Sequence, residues 1–174
     1  IMSDCINLFI NPHKAIKYNN NHLDSYYILI LHIYHVIMFR KLKFDEIMHH
    51  IVFVLFGVVP SIYYSRSNTN KIGYLACCGI PGIIEYSSLT LVKHNKISCI
   101  KQKQVASYMY CFLRQPLAMY SVVLNIILYE YKLIRLEEQS ICIYINVLLY
   151  INSCYYTCIT CTNYGYNRYR DVIY

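Results

Sequence analysis

Two adjacent histidines, His49 and His50, are the residues whose types and spacing point most directly to chemistry. They follow Asp45 and Glu46, so each carboxylate precedes one imidazole by four residues. Residues four apart share one face of a helix, and a carboxylate bound to an imidazole fixes its tautomer and raises its basicity. An imidazole held in this way can act as a general base or as a metal ligand.

Two further charged residues, Glu85 and Arg114, lie inside apolar segments. An ionised side chain at the centre of a membrane helix is unfavourable by about 2.5–3.5 kcal/mol on insertion scales, so such residues are functional candidates. We expect the two to form a salt bridge between consecutive antiparallel helices. The alternatives are that Arg114 extends to the membrane interface or contacts an anionic lipid head group. A pocket holding this pair and the two histidines would suit the phosphate of a phospholipid or of acyl-CoA.

A metal site is a second interpretation of the histidines. His32 and His35 lie three residues apart in the preceding apolar segment, and imidazoles with this spacing on one helix face can share a metal. The four histidines resemble part of the array in membrane di-iron hydroxylases and desaturases. Those enzymes resemble one another in having longer arrays of histidines. In this chain only one histidine, His94, follows His50. The sequence therefore assigns no metal ligand and no cofactor.

The segments that position these residues are long and apolar. The chain has 174 residues, of which 57% are hydrophobic and 14% charged, with a mean hydropathy of +0.32. Helices satisfy their own backbone hydrogen bonds in a bilayer, and these segments lack the alternation of a membrane barrel. We therefore predict an all-α polytopic transmembrane bundle of about five spans. The predicted spans are Leu23 to Phe39, Ile47 to Tyr64, Ile72 to Leu91, Val105 to Tyr129 and Ser140 to Thr162.

The connections between the predicted spans are short, so successive helices should be antiparallel neighbours. Lys and Arg number nine on the side of the 40–46 loop, the 92–104 loop and the C-terminal end, against six on the other side. By the positive-inside rule, we expect the first of these sides to face the cytosol. We divide the chain into a polar segment 1–22, a membrane domain 23–164 and a short basic tail 165–174.

Pro60, Pro81 and Pro116 fall inside three of the predicted spans. A proline removes one helical hydrogen bond and kinks its helix, which a bundle tolerates where neighbours or a cavity accommodate the freed carbonyl. Because glycines flank Pro81, we expect the stretch CCGIPGI to be a broken helix.

The net charge of +7 does not indicate nucleic-acid binding, because the basic residues lie in short loops between apolar segments. Membrane lipids are the partners that this distribution favours. Most of the nine cysteines lie within apolar segments, where a thiol behaves as a small hydrophobic group. We therefore expect no disulfide framework.

Asp45, four residues before the paired histidines at the head of a span, resembles the motif of the TLC family of multi-span membrane proteins, which includes ceramide synthases. The family pattern continues with an acidic segment followed by Leu and Lys. The stretch IIEYSSLTLVKHNK is similar to it, with Glu85 at the first acidic position and with Leu89 and Lys93 as the Leu and Lys that follow. Ser88 stands where the family has a second acidic residue. The resemblance covers most of residues 24–164.

The resemblance implies a protein of the endoplasmic reticulum or another endomembrane that handles lipid or fatty acyl groups. It also implies that this chain is a truncated form of a seven-span bundle. In an acyl transfer, His49 or His50 would be the base, Asp45 would orient it and Glu85 would assist. Acyl-CoA would then be the donor, with Arg114 and Lys93 as the residues that bind substrate.

Alternative functions stay open from the sequence. A non-enzymatic member would bind lipid or regulate membrane composition, with histidines that are structural. A membrane hydroxylase and a transporter are less favoured. Kinked spans are common in transporters, but this chain has no detectable internal repeat.

Overall fold

The computed structural model describes residues 2–16, 23–38, 42–65, 68–133 and 136–173, and within these ranges the chain is helical and has no strand. The all-α prediction is therefore confirmed. We number the helices α1 (Met2–Ile10), α2 (Pro12–Ala15), α3 (Leu23–Met38), α4 (consecutive segments Phe44–Phe53, Val54–Val58 and Val59–Tyr64), α5 (Asn70–Lys93), α6 (Cys99–Glu130) and α7 (Leu136–Ile173).

Helices α4 to α7 are each long and apolar enough to cross a membrane. Helix α3 is apolar but shorter, and its 16 residues extend over about 24 Å at 1.5 Å per residue. It exposes large apolar side chains such as Ile30, Ile33 and Ile37, as a lipid-facing helix does. The chain is thus an integral membrane bundle of about five spans. The long helices begin before and end after most of the spans predicted from hydropathy.

The link between α5 and α6 is well specified by the local sequence. Two residues after the end of α5, Asn95 has the left-handed conformation; Asn95 donates its backbone N–H to Val92, and Lys96 donates to Leu91. This pair of bonds is a Schellman motif, which satisfies carbonyls that a helix end leaves free. Helix α6 then begins at Ser98, whose hydroxyl accepts the backbone N–H of Lys101 at 3.2 Å. A tight link of this kind makes α5 and α6 antiparallel neighbours.

Each proline inside a span follows a widened, π-helical turn. The turns Val54–Val58, Leu75–Gly79 and Tyr110–Arg114 precede Pro60, Pro81 and Pro116, and each covers the positions from six to two residues before its proline. A proline ring clashes with the carbonyl four residues earlier in a regular α-helix. The wider turn relieves this clash, so the helix continues past the proline.

The prediction of a broken helix at CCGIPGI is wrong, because α5 runs from Asn70 to Lys93 without a gap. The irregularity is confined to the π-helical turn Leu75–Gly79. Its last residue, Gly79, has a ψ of −101°, which departs from helical values. A continuous path leaves no stretch of backbone unbonded at membrane depth, which is the favourable outcome in a bilayer.

Buried amides and hydroxyls join α5, α6 and α7 near the end of the bundle that carries Ser65, Asn68 and Thr69. Asn146 donates its side-chain amide to Asn70 at 2.6 Å, Asn70 donates to Ser65 at 2.9 Å, and Ser121 donates to Asn146. All four side chains are buried. Hydrogen bonds between membrane helices contribute about 0.6 kcal/mol each on average, so this network fixes the register of the three helices.

Gly73 makes the close approach at this network possible. We predict that Gly73→Ala lowers the free energy of unfolding by about 1–3 kcal/mol through overpacking. The added Cβ would lie 2.6 Å from Leu149 Cδ1 and 2.9 Å from the Asn146 side-chain oxygen. The matched control is Gly82→Ala on the same helix, where a Cβ meets nothing within 4 Å. Unfolding in mixed micelles titrated with SDS measures both, and equal stability of the two variants would contradict the prediction.

Candidate functional site

Three histidines from two helices meet in one cluster. The Nδ1 atoms of His32 and His50 are 3.0 Å apart, and the rings of His49 and His50 have centroids 5.1 Å apart. One nitrogen from each of His32, His49 and His50 lies within 4.8 Å of the others. His50 is buried and the other two are half-buried. We call these three residues the histidine cluster.

The hairpin between α3 and α4 builds the histidine cluster. His32 lies in the second half of α3, while His49 and His50 lie in the second turn of α4. A short connection places the end of one helix beside the start of the next. Adjacent residues on a helix point about 100° apart, so a single partner reaches both only from a position between them. His32 occupies that position, because its ring contacts both of the others.

A small enclosed cavity of about 50 Å³ lies beside the cluster, within the bundle. The histidines in its wall are His32 and His49. The wall also contains a residue from each of the three π-helical turns. These are Gly57 and Val58 from α4, Cys77 and Cys78 from α5, and Arg114 from α6.

Three buried polar atoms in the cavity wall have no hydrogen-bond partner among the residues that the structure describes. They are Nδ1 of His49, Nε of Arg114 and Oδ1 of Asn152. Buried polar groups in folded proteins are almost always satisfied by protein, water or ligand. The cavity is large enough for a few waters or for a small polar group, since one water needs about 10–15 Å³. Its wall therefore offers basic and cationic nitrogen atoms to a ligand.

Arg114 is buried and held by two aromatic rings. Its guanidinium carbon lies 4.6 Å from the ring centre of Tyr110 and 5.4 Å from that of Tyr156. Desolvated cation–π contacts of this kind contribute about 2 kcal/mol. The Tyr156 ring also lies edge-on to His49, with centroids 5.0 Å apart. The aromatic contacts thus place the guanidinium next to the histidine cluster.

The predicted salt bridge between Glu85 and Arg114 is replaced by a bridge through Tyr110. The Tyr110 hydroxyl donates to Glu85 Oε2 at 2.7 Å, while its ring contacts the guanidinium. Among the described residues, direct ion pairs are formed elsewhere, by Lys71 with Asp4 and Asp24. Tyr110 lies one turn before Arg114 on α6, so the same face of α6 presents both side chains. The carboxylate is therefore satisfied without direct contact with the cation.

Other predicted site residues lie apart from the cavity or outside the described structure. Lys93 is exposed at the end of α5 and does not line the cavity. Glu46 accepts the backbone N–H of Lys43 at 2.8 Å and so caps the start of α4. The side chain of Asp45 lies outside the described residues. Of the six predicted residues, His49 and Arg114 line the cavity, His50 completes the cluster, and Glu85 connects to it through Tyr110.

Sequence reasoning missed the aromatic and amide groups of the site. Tyr110 precedes Arg114 by four residues, and this spacing is a signal that the sequence contained. Tyr156 and Asn152 carry no such signal, because they come from α7 and reach the site only through helix packing. His35 packs against the cluster and connects it to α5. Its ring centroid lies 4.9 Å from that of His50, and its Nδ1 is 3.3 Å from the Tyr86 hydroxyl.

Comparison with known proteins identifies no relative: no family model, no curated protein and no solved structure matches this chain. The TLC resemblance therefore stays a prediction.

We predict that Tyr110→Phe lowers the free energy of unfolding by about 1.5–3 kcal/mol, because it leaves the Glu85 carboxylate without its donor. The variant keeps the ring that holds Arg114. Tyr108→Phe is the control, since Tyr108 is exposed on the same helix. Denaturation of both variants in detergent micelles measures the difference. If both lose the same stability, the Tyr110 hydroxyl contributes nothing to Glu85.

Proposed function

We propose that this protein binds lipid or fatty acyl groups within an endomembrane, with the polar end of the ligand at His49 and Arg114. The observation that carries the proposal is the position of His49. It lines both the enclosed cavity and a second, open groove between α4 and α7. A ligand with an apolar chain and a polar head group fits two adjoining spaces of this character.

The groove is suited to an acyl chain. It has a volume of about 410 Å³, which is in the range of about 300–1,000 Å³ typical of ligand pockets. Four of its lining residues, Phe44, Met48, Ile151 and Tyr155, are exposed at the surface of the bundle. Apart from His49 and Asn152, its lining is apolar or aromatic: Phe44, Met48, Val52, Phe53, Leu148, Ile151 and Tyr155.

The cavity next to the groove is suited to a head group. Arginine binds carboxylates and phosphates through several N–H donors, and Arg114 has a buried Nε without a partner in the described structure. Stacking on Tyr110 and Tyr156 restricts the guanidinium to one place. A carboxylate or phosphate there would neutralise a buried cation, which is strongly favoured in a medium of low dielectric.

A test of lipid binding uses a substitution that narrows the groove. We predict that Ile151→Trp reduces the amount of acyl lipid that copurifies with the protein in mild detergent by at least fivefold, a loss of about 1 kcal/mol of affinity. Ile126→Trp is the matched control, because Ile126 is similarly exposed on α6 and lies outside the groove. Mass spectrometry of the extracted lipid gives the ratio. Equal lipid content in the two variants would contradict binding in this groove.

Acyl transfer is the second candidate function, and the unpartnered Nδ1 of His49 favours it. A general base needs a free nitrogen within reach of the substrate proton. In this function His49 accepts a proton from the hydroxyl or amine nucleophile as that group attacks the thioester carbonyl of acyl-CoA. The coenzyme A thiolate is then the leaving group. Glu85 acts through Tyr110 and Arg114 as a positioning residue, because it hydrogen-bonds Tyr110.

The acyl-transfer function predicts a change in cellular lipids that depends on His49. Expression of the chain in a host should alter the ceramide or acyl-chain profile, and His49→Ala should reduce that change by about 10²-fold or more. His94→Ala is the control, because His94 is an exposed loop residue. Whole-cell lipid mass spectrometry at matched membrane abundance is the measurement. If profiles are identical with and without the imidazole while the groove still binds lipid, the protein binds lipid without catalysis.

A further inference from the structure

The histidine cluster has the spacing of a metal site. With metal–nitrogen bonds of about 2.0–2.1 Å, two ligand nitrogens of a tetrahedral site lie roughly 3.3 Å apart. The His32 and His50 Nδ1 atoms are already 3.0 Å apart, and all three donor nitrogens lie within 4.8 Å of one another. The third donor comes from His49, which is half-buried and lies within this distance of both other imidazoles.

A hydrogen bond alone explains only part of the cluster. If one of the two close Nδ1 atoms is protonated, it donates to the other, and this accounts for His32 and His50. It does not account for His49, whose buried Nδ1 has no partner within the described part of the chain. The ring of His49 is nonetheless held by Phe53 at 4.7 Å and Tyr156 at 5.0 Å between centroids. A single metal ion is able to engage all three imidazoles.

We infer that His32, His49 and His50 bind one divalent transition-metal ion of the zinc type. Neutral imidazole donors suit zinc, copper, iron and nickel, and do not suit magnesium or calcium. Three histidines with a fourth, open position form the arrangement of catalytic rather than structural zinc sites. The cavity beside His49 supplies the open position, and a buried, unpartnered Oδ1 of Asn152 lies in its wall.

The charge around the site restricts the fourth ligand. Arg114 lies near His49, so a divalent ion brings a second cation into the same buried region. Glu85 is the carboxylate connected to this region, and its bond to Tyr110 keeps it out of the cluster. A fourth ligand that carries negative charge, such as hydroxide or a carboxylate, offsets the excess positive charge.

This inference is independent of the proposed function, because it requires only the three imidazoles. Metal binding and general-base catalysis by the same His49 nitrogen exclude each other, because a ring nitrogen that binds a metal cannot also accept a proton from a nucleophile. Acyl transfer with His49 as base therefore belongs to the metal-free protein, while lipid binding in the groove is compatible with both forms.

The test is a titration of the purified chain with Co²⁺, the spectroscopic substitute for Zn²⁺, after treatment with a chelator in detergent. We expect one equivalent of Co²⁺ per chain, with the visible bands of a four-coordinate ion, and displacement of the cobalt by Zn²⁺. His32→Gln should weaken binding at least tenfold, whereas His94→Gln, in an exposed loop, should leave it unchanged. Circular dichroism and gel filtration of each variant establish that it is folded.

A second variant keeps the test decisive if His32→Gln fails to fold. His32→Cys retains a donor at the same position, so it should still bind Co²⁺ and should add a thiolate-to-cobalt absorption band. Three results would overturn the inference. These are the absence of stoichiometric binding, equal affinity in the His32 and His94 variants, or a thiolate band in the unaltered chain, which would assign the metal to its cysteines.

Discussion

This structure depends on one constraint. A membrane helix must keep its backbone hydrogen-bonded even around a proline. Three spans contain a proline, and each accommodates it with a π-helical turn in place of a break. A residue of every one of these turns lines the same cavity. Wider turns displace side chains from regular helical positions, so each proline-associated turn shapes part of the wall of the cavity beside the histidine cluster.

Two neighbouring polar regions of the bundle have different character. In the network of Asn70, Asn146, Ser65 and Ser121, amides and hydroxyls are paired with one another, and they lock α5, α6 and α7 in register. Around the cavity, imidazole and guanidinium groups have atoms without a partner in the described structure. Satisfied networks rigidify a fold, whereas unsatisfied groups are available to a ligand. The contrast distinguishes a structural layer from a candidate site.

One residue, His49, connects the apolar groove with the polar cavity. His49 lines both the outward groove and the enclosed cavity. Arg114 reaches the cavity from a different helix and is fixed by aromatic rings from α6 and α7. All five apolar helices, α3 to α7, therefore contribute to the groove or the cavity, so its geometry exists only in the assembled bundle.

The sequence by itself determined the helices, the approximate spans and the irregular positions, because hydropathy and proline act locally along the chain. It also identified His49, His50, Glu85 and Arg114 as residues that a bilayer does not tolerate without partners. It could not determine which partners they find. Tyr110 separates Glu85 from Arg114, and His32 joins the histidine pair, because the rotation of each helix about its axis sets these contacts. When most faces of a helix are apolar, hydropathy leaves that rotation undefined, and only packing against the neighbouring helices decides it.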